Sequence, residues 1–296
     1  MDTFTVALWA TNVATPPAGP AAWLAGVERM AGRARDAGAA LLALPEYVSA
    51  QWLHWAPPDL DHTGEVAWMA EQAAALEPGL AGISSRTGLA LLAGTAPVPA
   101  PRGGFFNQAR LFLPEGDLVR QDKLCLTPSE KDPDGWMLVP GDRFRVVGWR
   151  GLRLGIAICL DVELPALSAR IAGLGLDLLL VPSMTGLASG HARVFGCARA
   201  RAVELFCAVA ALGCIGDVPR PDRVEGNTSG AAVFIPCEEA LGFTGLLDQV
   251  PAVSSSADPD GPMLVAGIPL ERIRGLRAEK AEVWPGAWSA EHVRIG

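Results

Sequence analysis

Three side chains with complementary chemistry close three separate runs of this sequence: Glu46, Lys123 and Cys159. Residues 41–45 read Leu-Leu-Ala-Leu-Pro before Glu46, residues 118–122 open on Leu-Val and turn polar before Lys123, and residues 152–158 are mostly apolar before Cys159. Short runs of these kinds are strand patterns, so each reactive residue is expected where a strand gives way to a loop. Strand ends on a rigid sheet suit catalytic groups, because the sheet fixes the side chain while the loop leaves it accessible. A thiol, a carboxylate and an ammonium gathered there would supply a nucleophile, a base and a stabiliser of a developing oxyanion.

Each residue has to be weighed against an ordinary role. Most cysteines are small buried hydrophobes, but Cys159 is followed directly by Leu-Asp-Val-Glu-Leu-Pro, where polarity returns. Cys207 and Cys214 lie inside apolar runs and read as core, whereas Cys125 is close enough to Lys123 to line the same cleft; Cys197 and Cys237 have no such setting. Lys123, Lys131 and Lys280 are the three lysines, so 21 of the 24 basic residues are arginine. A lysine kept in so arginine-rich a chain points to a place where a compact ammonium fits and a planar guanidinium does not. Glu46 is followed by Tyr47, the single tyrosine.

The stretches LLALPEY, DKLCLTPSE, GLRLGIAICLDVELPALSARIAGLGLDLLLVPS and ARARAVELFCAVAALG occur in that order, and together they resemble the nitrilase or carbon-nitrogen hydrolase superfamily. The resemblance runs from ALWATNVA near the start to NTSGAAVFIP. It implies Glu46 as general base, Lys123 as transition-state stabiliser, Cys159 as nucleophile and Glu130 as a second glutamate that orients the site. It also implies a four-layer α-β-β-α sandwich and a homodimer or larger assembly.

Within such a family the residues after the cysteine separate branches. Leu160-Asp161 stands where nitrilases have Trp-Glu, and Glu163 and Pro165 follow, which resembles the amidase-type branches. The implied reaction is hydrolysis of a small amide through a thioester, with N-carbamoyl hydrolysis, nitrile hydrolysis, acyl transfer or a silent binding scaffold as alternatives. Candidate substrate-binding residues are Tyr47, Leu160, Asp161, Ser183, Met184 and His191. Arg193, Arg199 and Arg201 offer a carboxylate-binding group or ordinary helix-surface charges, and Asp161 and Glu163 would either meet a cationic substrate or cap the following helix.

The scaffold that must position these groups is legible in outline. Besides the three runs above, strands are expected over 3–8, 89–94, 109–113, 176–181, 206–212, 231–235 and 264–268, with helices over 21–37, 65–84 and 193–205. Strands alternating with helices throughout indicate a layered α/β fold, taken as one domain over 1–296 with a tail from about 270 that would contact another subunit. Residues 96–104 read as a turn-rich connector, 216–228 as a polar loop and 248–262 as a mobile loop; no internal repeat is visible.

The remaining features exclude other classes. A formal charge of −8 without a basic cluster argues against nucleic acid. No run of about 18 uncharged apolar residues indicates a membrane span, and no signal-peptide pattern opens the chain, so a cytoplasmic location with reduced thiols is expected. His54, His62, His191 and His292 make no two-ligand metal spacing, Gly173-Leu-Gly175 falls short of a dinucleotide loop, and no cofactor is called for.

Overall fold

The structure, a computed structural model, describes residues 3–133, 135–218, 226–279, 281–283 and 290–296. The first half of the chain forms β1 (Phe4–Trp9), α1 (Pro20–Asp36), β2 (Leu41–Leu44), α2 (Glu65–Thr87), β3 (Ala90–Pro99), β4 (Phe105–Phe112), β5 (Leu118–Asp122) and the one-turn α3 (Pro128–Lys131). The second half forms β6 (Val147–Trp149), β7 (Leu152–Ile156), α4 (Pro165–Ile171), β8 (Leu178–Ser183), α5 (Ala188–Glu204), β9 (Ala208–Gly213), β10 (Ser229–Phe234), β11 (Leu246–Val253), β12 (Met263–Ile268) and α6 (Leu270–Ala278).

Two six-stranded sheets result, ordered β12-β1-β2-β3-β4-β5 and β11-β10-β9-β8-β7-β6. In each, three parallel strands are flanked by antiparallel ones, β1-β2-β3 in the first and β7-β8-β9 in the second. The strand order and sense of one sheet therefore repeat in the other, a likeness of architecture that single-sequence reading did not show.

Side-chain alternation along the strands sorts the layers. Val6, Leu8, Leu41, Ala43, Ala90 and Leu92 face the second sheet in the central core, and Ala7, Trp9, Leu42, Leu44, Leu91 and Ala93 face α1 and α2. The buried residues of α1 (Trp23, Val27, Met30, Ala31, Ala34) recur at helical spacing and form the facing surface. On the other side, Val194, Phe195, Ala198 and Ala202 of α5 cover the second sheet. With both faces covered, the parallel strands β2, β8 and β9 are buried at every position, which is why they read as unbroken apolar runs. The architecture is the expected four-layer α-β-β-α sandwich.

Two local expectations are corrected. Residues 96–99 are not a connector but the end of β3, where Pro97 and Pro99 pair with Asn107 and Phe105 of β4. β2 partners β3 only as far as Ala93, so beyond it the strand has one hydrogen-bonding edge free, where a residue lacking an N–H is tolerated. Residues 248–253 belong to the edge strand β11, and the loop that follows is fastened to the end of β1: Ala10 N–H donates to Pro262 O (3.0 Å), Asn12 N–H to Asp260 O (3.2 Å) and Trp9 Nε1 to Asp260 O (2.7 Å). Of the tail from about 270, α6 packs on its own chain through Leu270 and Ile273, while Arg274 and Arg277 grip buried Asp177. Val283 also packs on this core; residues 284–289 lie outside the described residues, as do 219–225 of the loop expected over 216–228. Among the described residues no helix is long and apolar enough to cross a membrane.

Candidate active site

The site forms where β2 and β5 of the first sheet meet β7 and β8 of the second. Pro45 ends β2 and delivers Glu46; Lys123 follows β5 immediately; Cys159 follows β7 by three residues and opens a 3₁₀ turn, Cys159–Glu163. The cysteine holds a left-handed backbone, φ 47°, and Tyr47 does the same at φ 48°. Such conformations cost non-glycine residues of order 1–3 kcal/mol and persist only where the surroundings impose them.

Glu46, Lys123 and Glu130 form one buried network. Lys123 Nζ donates to Glu46 Oε1 at 2.8 Å and to both oxygens of Glu130 at 3.0 and 2.8 Å. Met184 N–H, just past β8, donates to Glu46 Oε2 at 2.9 Å. Glu130 also accepts from the Tyr47 hydroxyl (2.8 Å) and Thr127 N–H (2.8 Å), and its own N–H bonds Thr127 Oγ1 in a capping box that fixes α3. The Cys159 thiol interacts with the Glu46 carboxylate and lies 3.9 Å from Met184 O.

Burial and charge set the protonation of these groups in opposite directions. Burial pushes the Glu46 carboxyl up against the pull of Lys123, whereas for Glu130 burial is outweighed by Lys123 and by its N–H and hydroxyl donors, and its carboxyl sits below the ordinary value. Burial also opposes the charge on Lys123, but the Glu46 and Glu130 carboxylates more than offset it, so the ammonium persists. Burial and the facing Glu46 carboxylate push the Cys159 thiol well up, so it rests protonated. A protonated thiol beside a carboxylate with a raised pKa, with an ammonium at hand, can transfer its proton as it attacks.

A cavity of about 270 Å³ opens beside Cys159, lined among others by Leu160, Met184, Thr185, Leu187 and Arg193. Of the candidate substrate-binding residues, Leu160 and Met184 therefore lie on it. The other four have different partners. Tyr47 is buried behind the site with its hydroxyl on Glu130. Ser183 is buried and donates to Leu212 O. His191 bonds Ser229 Oγ and stacks on Phe195. Asp161 is buried and does not cap α4: its carboxylate accepts the N–H groups of Ile158 (3.0 Å), Leu124 (3.1 Å) and Cys125 (2.8 Å). It thus ties the loop after Lys123 to the loop holding Cys159. Burial raises it to about 6 against those donors. Cys125 is held by that contact and does not line the cavity. Arg193 lies on the rim paired with Glu163 (3.2 Å), Arg199 donates to Thr244 O, and Arg201 is buried between Val162 O and Glu204.

Two residues that the sequence did not assign to the site touch it, Cys214 having read as core. Cys214 at the end of β9 donates its thiol to the Glu46 carbonyl at 3.3 Å. Asn107, fully buried on β4, donates its amide to Glu46 Oε1 (2.8 Å) and Glu130 Oε1 (3.2 Å). Its signal is faint: a polar Asn107-Gln108 step inside a strand that reads Phe-Phe-Asn-Gln-Ala-Arg-Leu-Phe. Among the described residues no cluster of three or more His, Cys, Asp or Glu is placed to hold a metal.

Comparison with known proteins agrees with this architecture. The carbon-nitrogen hydrolase family matches residues 6–272. The amidase from Nesterenkonia sp. has the same fold, with a TM-score of 0.67 and 25% identity over 94% of this chain and 95% of that one. One of its variants shows the Michael addition of acrylamide at the active-site cysteine. A probable hydrolase of Bacillus subtilis, YhcX, is 29% identical over 59% of this chain, and an (R)-stereoselective amidase of Pseudomonas sp. is 42% identical over 27% of it. These matches span about a third of those relatives, 33% and 28% of their lengths. With the family matched across nearly its whole length and the sandwich shared with an amidase, the chain belongs to the carbon-nitrogen hydrolase family.

Proposed function

We propose that this hydrolase cleaves a small amide through a thioester on Cys159, with Glu46 as the base, Lys123 as the oxyanion stabiliser and Glu130 as the fixed anion that holds Lys123. The observation that carries the reading is the convergence of Lys123 Nζ on two carboxylates whose pKa values are driven apart, Glu46 up and Glu130 down. Paired carboxylates separated in this way divide into one that exchanges protons and one that stays charged.

The steps follow from these positions. Cys159 Sγ attacks the amide carbonyl carbon as its proton passes to Glu46. The oxyanion is held by Lys123 and by the Leu160 N–H, which lies in the first turn of the 3₁₀ segment, where N–H groups have no helical acceptor. Glu46 then protonates the departing nitrogen, the C–N bond breaks, and the acyl group stays on sulfur. Water, deprotonated by Glu46, attacks the thioester, the acid leaves, and the proton returns to the thiol. The same reading takes residues 1–296 as one catalytic domain, working without a cofactor as a cytoplasmic homodimer or larger assembly; a monodisperse monomer in light scattering would reject the assembly.

The test is ammonia release from a panel of primary amides, N-carbamoyl amino acids and nitriles, with Cys159→Ala run beside the wild type. Release from amides that vanishes in the variant is expected. Turnover that survives in Cys159→Ala would remove the nucleophile, and release from nitriles or N-carbamoyl compounds alone would replace the substrate class.

A further inference from the structure

One side-chain amide serves both glutamates. Asn107 Nδ2 donates to Glu46 Oε1 and to Glu130 Oε1, and its own Oδ1 is buried without a donor. The orientation is forced, because turning the amide over would set a carbonyl oxygen against two carboxylates. A buried acceptor left unpaired costs stability, so the residue is held for what its nitrogen does.

Counting acceptor capacity shows what that is. Each carboxylate oxygen offers two lone-pair directions. At Glu46, Oε1 is filled by Lys123 Nζ and Asn107 Nδ2, while Oε2 takes the Met184 N–H and has one direction left. We propose that Asn107 is a positioning residue for proton transfer: by filling Oε1 and bridging to Glu130 it fixes the Glu46 carboxylate so that the spare lone pair of Oε2 receives the Cys159 proton. The inference rests on the roles proposed above for Glu46 and Cys159.

The experiment follows alkylation of Cys159 by methyl vinyl ketone, a small Michael acceptor with no C–N bond to hydrolyse, read as the mass of the intact protein over time and across pH, with Cys159→Ala as the blank. Asn107→Leu keeps the shape and removes both donors. It is expected to slow adduct formation roughly 10- to 100-fold, the range for losing a hydrogen bond to a charged group. It should also move the acid limb of the rate to higher pH, because an N–H donor favours the ionised form of Glu46. The other groups facing Glu46, namely Lys123, Glu130, Tyr47, Cys159 and Cys214, are the same in both proteins. A variant that reacts at the wild-type rate with the wild-type pH limb overturns the positioning role, as does one that loses only thermal stability. Should Asn107→Leu melt below the assay temperature, Asn107→Ser carries the same reading. A wild-type Cys159 no faster than a free thiol overturns the catalytic assignment itself and this inference with it; a reactive wild type with an unaffected Asn107 variant overturns this inference alone.

Discussion

Replacing Lys123 by methionine tests the electrostatic design of the site in a way that loss of activity alone does not. Methionine is close to lysine in length and leaves Glu46 and Glu130, whose side chains are 2% and 7% exposed, without their shared ammonium. Removing one partner of a buried ion pair destabilises by about 3–5 kcal/mol because the remaining charge has lost its compensation. At about 2–4 °C per kcal/mol, the melting temperature should fall by about 6 to 20 °C at neutral pH. The deficit should depend on pH, with a sign the structure sets. In the wild type Glu130 lies below its ordinary value of 4.5, so its contribution is fully present above that pH and is lost as the pH falls through its folded pKa. Without Lys123, burial is expected to raise both carboxyls above 4.5, and each then destabilises the fold increasingly as the pH rises from 4.5 through its folded value. Melting followed by circular dichroism should therefore show a small deficit near pH 4.5 and a large one at pH 7.5. A deficit that is the same at both, or under about 2 °C at pH 7.5, would refute the account. Turnover should fall by at least about 100-fold with the loss of an oxyanion donor.

Lys123→Arg keeps the charge but must seat a larger planar group in a fully buried place; kcat is expected to fall nearly as far as in Lys123→Met, and wild-type kcat would show that ammonium shape is irrelevant. Asp161, raised to about 6 by burial from an ordinary 3.8, loses stability on ionising as the pH rises between those values. Asp161→Asn lacks that component, so its melting temperature relative to the wild type should climb between pH 4 and pH 7, and a flat difference would refute the assignment. Gly94 holds φ +67°, and a Cβ there would meet Pro45 O at 2.2 Å; Gly94→Ala should push back the residue that carries Glu46 and lower kcat more than tenfold, since strain of about 1–3 kcal/mol enters at the base. Unchanged kcat in that variant would show that Glu46 is not held through β3.

What the sequence determined by itself was local. A strand that ends in a polar residue is written in consecutive positions, so Glu46, Lys123 and Cys159 could be found at strand ends and the parallel strands could be read from their unbroken apolar runs. The scarcity of lysine marked Lys123, whereas Glu130, seven residues on, came only from the family resemblance. Proline misled at residues 96–99, since its meaning depends on whether a neighbouring strand lies alongside, which no local window contains. Tertiary structure alone decided who meets whom: Asn107 lies 61 residues from Glu46, Met184 lies 138 and Cys214 lies 168. It also set the Asp161 carboxylate at the joint between two loops, the Tyr47 hydroxyl on Glu130 and the Ser183 hydroxyl on Leu212 O. Sequence shows residue types and their local register, whereas partners, burial and the resulting pKa shifts arise only when two sheets built far apart in the chain close on one another.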